Sequence, residues 1–425
     1  MTLLNMLFRL SWLMLLIPCL SWASNGDTSF LDNLQVHGFG TLGAAAGNQS
    51  NVTALRDLSS SQGVSHFGNP LATDSRLGLQ LDAALGHNLS ATAQVVGAYR
   101  INQSIDSILQ WAFVKYQPGP TWSLRLGRFG TDAFLLSDQR NVGFTYLRVR
   151  PPVEFYGFLP LYSVDGGDFQ YLHPLGDGVL TAKAFWGQSN PYYYIHGSSL
   201  AASTTSEQNL RPIMGGDLIW KNDDWILHSA YVTLNVNTSL PGLDPLIQMA
   251  QQAGTLYAPT AITAQNITVR DKNIQFLESG LAFDGEHWNV TSELSETLFQ
   301  SQFKANVASG YVTVGYHLDA WTPFIGYSRV WPTRTVPIAN VADAPPQIQS
   351  LLSAINISVF QLTNENQYTQ SAGVRWDFYN NFDLKAQFDR TVVLGQGDEL
   401  WATRVGVVPR QSGVNMLSLT LDWVF

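Results

Sequence analysis

The sequence predicts an all-β protein, a transmembrane antiparallel β-barrel counted at sixteen strands. Three observations carry that expectation. Apolar and polar residues alternate at period two in segment after segment. Charged residues make up only 13% of the chain while aromatics reach 12%, and past residue 23 no apolar run approaches the length of a membrane-spanning helix. The connections between segments alternate between tight turns and long polar loops, as they do when a barrel has one short-turned rim and one long-looped rim.

Met1 to Ala23 reads as an export signal. Arg9 precedes the apolar run Leu10 to Leu20, and Ser21-Trp22-Ala23 places small residues at a cleavage site. A spanning helix is the weaker reading, because the run is short and no charge cluster follows it. Lipidation at Cys19 is disfavoured by Pro18, where a small residue is wanted. Cleavage would leave 24–425 as one barrel domain without cysteine, carrying 22 of the 23 basic residues against 32 acidic ones. Such an exported chain must be held by its hydrogen-bond ladder or its packing, not by disulfides.

The period-two segments fall near 35–45, 74–86, 88–100, 108–117, 121–129, 161–172, 178–188, 211–221, 224–236, 274–284, 286–298, 306–317, 320–331, 367–379, 382–392 and 414–425. In the second, Leu77, Leu79, Leu81 and Ala83 face one way and Arg76, Gly78, Gln80 and Asp82 the other. The last alternates Leu417, Leu419, Leu421, Trp423 and Phe425 against Ser418, Thr420, Asp422 and Val424. One face admits only apolar groups and the other accepts charge, which suits lipid outside and water inside. Trp122, Trp225, Trp288, Trp321 and Trp423, with Tyr116, Tyr316 and Tyr379, sit near the turn-side ends, as do His87, His173, His287 and His317. Aromatic residues collect at that depth because their rings are half apolar and half polar. Pro345 to Leu352 has the composition of a short helix in one of the long loops.

With strands, turns and final residue placed, the whole chain after the signal resembles the general diffusion porins of Gram-negative bacteria. The most specific match is the ending Leu417 to Phe425; the resemblance implies that Leu421, Trp423 and Phe425 are read by the barrel-assembly machinery of the outer membrane. The second match is positional. In that family the loop after the fifth strand folds inward and narrows the lumen, and here the fifth strand is followed by Gly130 to Pro160, rich in Leu, Phe, Tyr and Pro. The constriction loop after strand 5 that the resemblance implies, about 130–160, carries Asp132, Asp138 and Glu154 but also Arg140, Arg148 and Arg150. The family opposes an acidic loop to wall arginines, so the basic run Arg148-Val149-Arg150 departs from it and leaves ion preference open. The resemblance further implies a homotrimer in lipid. Gly43, Ala45, Ala83, Ala91 and Ala93 are read as small outward residues forming the subunit contact.

The inward faces predict a charged wall of Arg76, Arg100, Arg125, Lys183, Arg375 and Lys385 against Asp82, Glu278, Glu293, Asp377, Asp383 and Asp389. Opposed charges across a pore favour polar solutes; the plain alternative for each is a salt-bridged wall residue. Arg76 and Arg125 are expected to stack beside the loop, and Arg128 breaks the alternation. No serine stands in a Gly-x-Ser-x-Gly elbow, no His-x-x-x-His occurs, and no basic patch is present, so neither enzyme, cofactor, metal nor nucleic acid is expected. Asp165-Gly166-Gly167-Asp168 reads as a lumen-facing kink rather than a calcium loop, and Gly38-Phe39-Gly40 as close packing rather than a phosphate loop. Three functions follow from the resemblance and the wall. One is a water-filled pore for small hydrophilic solutes. Another is a substrate-selective channel, with Arg76, Arg125, Arg148 and Arg150 as a cationic ladder for anions. The third is a surface adhesin or receptor worked by its long loops.

Overall fold

The computed structural model describes residues 33–425, apart from 51, 61, 66–67, 196–203, 242, 335–338, 363–364, 399 and 404–412. The signal read at 1–23 lies outside the described residues.

Sixteen strands close into one antiparallel barrel in sequence order. They are β1 (Leu34–Gly47), β2 (Arg76–Ala84), β3 (Leu89–Ala98), β4 (Leu109–Tyr116), β5 (Trp122–Phe129), β6 (Val164–Leu175), β7 (Gly178–Ser189) and β8 (Leu210–Lys221). β9 (Trp225–Val236), β10 (Lys272–Asp284), β11 (Trp288–Phe299), β12 (Val307–Tyr316), β13 (Trp321–Pro332), β14 (Glu365–Tyr379), β15 (Phe382–Asp398) and β16 (Gly413–Val424) complete the ring. Each expected segment corresponds to one of these strands, because lipid on one face and a filled lumen on the other enforce the alternation that the sequence displays. The outward set includes Leu81, Leu126, Leu218, Leu294, Ile325, Leu417 and Leu419, all exposed. Large apolar side chains exposed in a continuous belt mark a lipid-facing surface. Aromatic pairs brace neighbouring strands at the turn-side rim: Trp321 stacks on Trp376 at 4.9 Å, and Trp288 meets Tyr316 edge-on at 4.8 Å.

The seam joins β1 to β16, with Leu42 opposite Leu421 and Phe39 opposite Val424. Beyond the strand end, Gly38 and Phe425 exchange both backbone hydrogen bonds at 2.9 Å. A Cβ on Gly38 would run into the Phe425 ring, and one on Gly40 into the Trp423 indole. Both glycines therefore give the terminal aromatics a surface to lie on, which accounts for Gly38-Phe39-Gly40 by close approach. Gly127 takes φ 130°, a conformation that re-aims the next residue. Arg128 thus departs from the alternation and pairs with Asp165 at 2.6 Å and Asp106 at 2.7 Å.

The small-residue reading of β1 needs correction. Leu42 is 50% exposed whereas Ala45 is 5% exposed, and Gly43 is buried beside the Asp74 side chain. Gly43 and Ala45 therefore face inward; Leu42, Ala44 and Ala46 are the outward residues of that strand.

The loop over 237–273 holds two helices, Asp244–Ala253 and Ala258–Ile267, and the expected short helix extends over Pro346–Leu362. Leu243, Ala250, Ala264, Ile267, Phe303, Ile348, Leu352 and Ile355 bury one another in a small apolar core at the long-looped end. A second, larger apolar cluster lies within the barrel towards the same end. It joins inward wall residues such as Phe185, Ile213, Val232, Phe276 and Val330 to Phe134, Phe155 and Trp401 of the loops.

Candidate functional site

The segment between β5 and β6 turns into the barrel. Its two ends are tied where the Thr131 hydroxyl donates to the Leu161 carbonyl at 2.8 Å. Aromatic packing draws it inward: Phe134 meets Phe276 of β10 at 5.0 Å, and Phe155 meets Tyr311 of β12 at 5.4 Å. Each buried ring removes on the order of 150–250 Å2 from water, so the apolar composition of the loop is satisfied against wall aromatics rather than in solvent.

Polar contacts then fix the segment to opposite walls. On one side Asp132 pairs with Lys183 of β7 and lies 3.7 Å from Arg125 of β5, whose Nε donates to Asp168 at 2.7 Å. The Leu135 N–H donates to Glu293 of β11 at 2.9 Å, and the hydroxyls of Tyr156 and Tyr311 donate to the same carboxylate. On the other side Lys385 of β15 donates to the Gly143 carbonyl at 2.5 Å, and Arg375 of β14 to the Phe144 carbonyl at 2.7 Å. Arg148 donates to Ser371 at 2.7 Å, and the Val149 N–H to Gln387 at 2.8 Å. Glu154, in the helical turn Val153–Tyr156, accepts from Ser328, Gln367 and Thr369 of β13 and β14.

Arg150 joins the loop to three separate partners on the wall and before β2. Its Nε and Nη2 reach the two oxygens of Asp74 at 2.9 and 2.6 Å, and Nη2 also donates to Ser418 of β16. Asp74, just before β2, further accepts from Arg56 at 3.0 Å. Burial alone would raise the Asp74 carboxyl. The charge and hydrogen bonds of Arg150, with Arg56, outweigh it and hold the carboxyl below its ordinary value. A similar balance holds Asp57 down: burial is outweighed by Arg140 and by hydrogen bonds from Ser59 and Tyr162. The Arg140 and Arg100 guanidiniums lie over the same Tyr162 ring, at 3.8 and 4.3 Å from its centroid.

Arg76 and Arg125 do not stack. Arg76 donates to the Asp74 carbonyl and to Asn141, while Arg125 belongs to the Asp168–Asp132 group. Asp138 lies beside the loop's start near Gly130 and stays exposed with Gln139, as does Thr145. The inward wall residues Gln80, Asp82 and Thr92 of β2 and β3, Lys115 of β4 and Gln170 of β6 are half-buried. Asp82 is occupied by Gln80 and Thr92 at 2.7 and 2.6 Å. Asp74, Arg56, Tyr156, Tyr162, Asp217 and His228 join the site without having been singled out. For Asp217 and His228 the signal was present, since both fall on the inward phase of their strands. His228 Nδ1 lies 2.6 Å from Glu278.

No protein-family model and no curated protein matches the chain. Solved structures do match it. The outer-membrane channel DcaP of Acinetobacter baumannii aligns at TM-score 0.52 and 12% identity, over 92% of this chain and 97% of that one. OmpF of Salmonella typhi, solved in complex with daunomycin, aligns at TM-score 0.50 and 12% identity, over 93% and 99%. At such identity the likeness is one of fold. The chain has a porin-like, sixteen-stranded barrel fold. Its closed ring and lipid-facing belt are those of a bacterial outer-membrane protein.

Proposed function

We propose that the protein is an outer-membrane channel passing small hydrophilic solutes or ions by passive diffusion, through the part of the lumen that the 130–160 segment leaves open. The observation that carries this reading is the free edge of that segment. Asp138, Gln139 and Thr145 stay exposed inside a barrel whose inward wall carries the half-buried polar residues Gln80, Lys115 and Gln170. Because the segment is bonded to walls on both sides, the aperture is narrow and the channel selective rather than wide. Two of the four arginines of the expected ladder are held tightly by carboxylates, Arg125 by Asp168 and Arg150 by Asp74 and Asp389. Arg148 lies 3.9 Å from Asp389, and Arg76 bonds Asn141 and a backbone carbonyl. Anion preference through a free cationic ladder is correspondingly the weaker form of the reading.

A receptor-like barrel is the second reading, favoured by the apolar cluster that fills much of the long-looped half of the lumen. Planar-bilayer recording separates the two. Discrete, low-conductance steps from the folded protein support the channel, and their absence selects the receptor. Reversal potentials in a salt gradient, for the native chain and for Arg148→Ala, then decide the ion preference. The ending Leu421, Trp423 and Phe425 supports recognition by the assembly machinery. Ala83, Ala91 and Ala93, on the outer face, support a homotrimer.

A further inference from the structure

A partly open cavity of about 130 Å3 lies at the long-looped end, apart from the polar contacts of the 130–160 segment. Leu234 and Val236 of β9, Ile274 of β10 and Phe299 of β11 form its wall, and Phe158 and Phe303 its roof. These strands turn apolar residues inward here, where a water-lined pore would carry polar ones. An apolar cavity of roughly 150 Å3 in another protein stays dry and takes up benzene, so the space matches one six-membered ring.

Its polar boundary is as specific as its size. Thr297 of β11 is 1% exposed and its hydroxyl has no hydrogen-bond partner. The buried hydroxyl of Tyr193 is likewise unpartnered. Lys304 also lines the space, but Glu365 holds it at 2.6 Å, and Lys272 borders it at the first position of β10. Buried hydroxyls left unbonded are unfavourable, and a ligand carrying one small hydrogen-bonding group would satisfy one of them.

We propose that this cavity is a binding site for a neutral single-ring molecule of the phenol class, its ring against Leu234, Val236 and Phe299 and its hydroxyl bonded at Thr297. The site does not depend on conduction, so it stands or falls separately from the channel reading.

The test is calorimetric titration of phenol, toluene and benzoate into the full-length protein folded in detergent micelles. Leu234→Trp and Val236→Phe serve as filled-cavity controls, each accepted only if it keeps the native gel shift. Saturable binding of phenol that either folded control abolishes is the expected result. Thr297→Val, which keeps the shape and removes the hydroxyl, should weaken phenol by about three- to tenfold and leave toluene unchanged. The proposal is overturned if phenol binds no better to the native chain than to the folded controls. It is also overturned if Thr297→Val leaves phenol unaffected, or if benzoate binds and phenol does not.

Discussion

A carboxylate 1% exposed survives inside a protein only where cations and donors replace its water, and Asp74 has Arg150, Arg56 and the neighbouring Arg76 around it. Because its folded carboxyl is held below the ordinary value near 3.8, its stabilising contribution is present above about pH 4. That contribution is lost as pH falls through the lower, folded value. Acidification should thus loosen the 130–160 segment before the hydrogen-bonded ring opens. Limited proteolysis between pH 6 and pH 3 should reveal cleavage within 130–160 only at the acid end. Asp74→Asn should show such cleavage already at pH 6. Removing one partner of a buried ion pair costs about 3–5 kcal/mol, and the remaining bond from Arg56 places Arg150→Ala toward the lower end. Resistance of Asp74→Asn at every pH would count against this anchoring role.

At the scale of elements, the inward segment and the wall make opposite demands on a sequence reading. Strands are legible because each alternate residue meets a different solvent, so Leu79, Leu81 and Ala83 announce their face against Gln80 and Asp82. Small residues carry no such polarity, which is why the phase of Gly43 and Ala45 was misread while Thr41 and Leu42 on the same strand fix it. The composition of 130–160 announced burial, but not which wall each arginine would reach. Arg150 finds Asp74, 76 positions away, through folding that no local pattern records. The helices Asp244–Ala253 and Ala258–Ile267 were missed although each has Pro at its start, a position that Pro favours. Removing residues 132–158 should raise single-channel conductance several-fold while the barrel keeps its gel shift. Unchanged conductance would remove this segment as the constriction.

As a whole molecule, the barrel presents lipid with a belt of Leu, Ile and aromatic residues, interrupted on β2 and β3 by Ala83, Ala91 and Ala93. Where outward side chains are small, two barrels approach closely enough for dispersion contacts to favour association in lipid. Cross-linking in mild detergent should yield trimers, and Ala91→Trp should shift them to monomers without altering the monomer's heat-modified mobility. Monomers alone from the native chain would sink that assignment.

The seam between β1 and β16 also dictates an order of events. Thr41 bonds Asp422 across a sequence separation of 381 residues, and Gly38 exchanges backbone bonds with Phe425 itself. The ring therefore has no closed form until β16 has been delivered to pair with β1. A chain stopped even one strand early would not make a smaller pore; it would present two unpaired edges to its neighbours. Closing so long a loop is slow compared with forming adjacent hairpins. A chain without β16 must accordingly be kept apart from its own copies during export until that strand arrives.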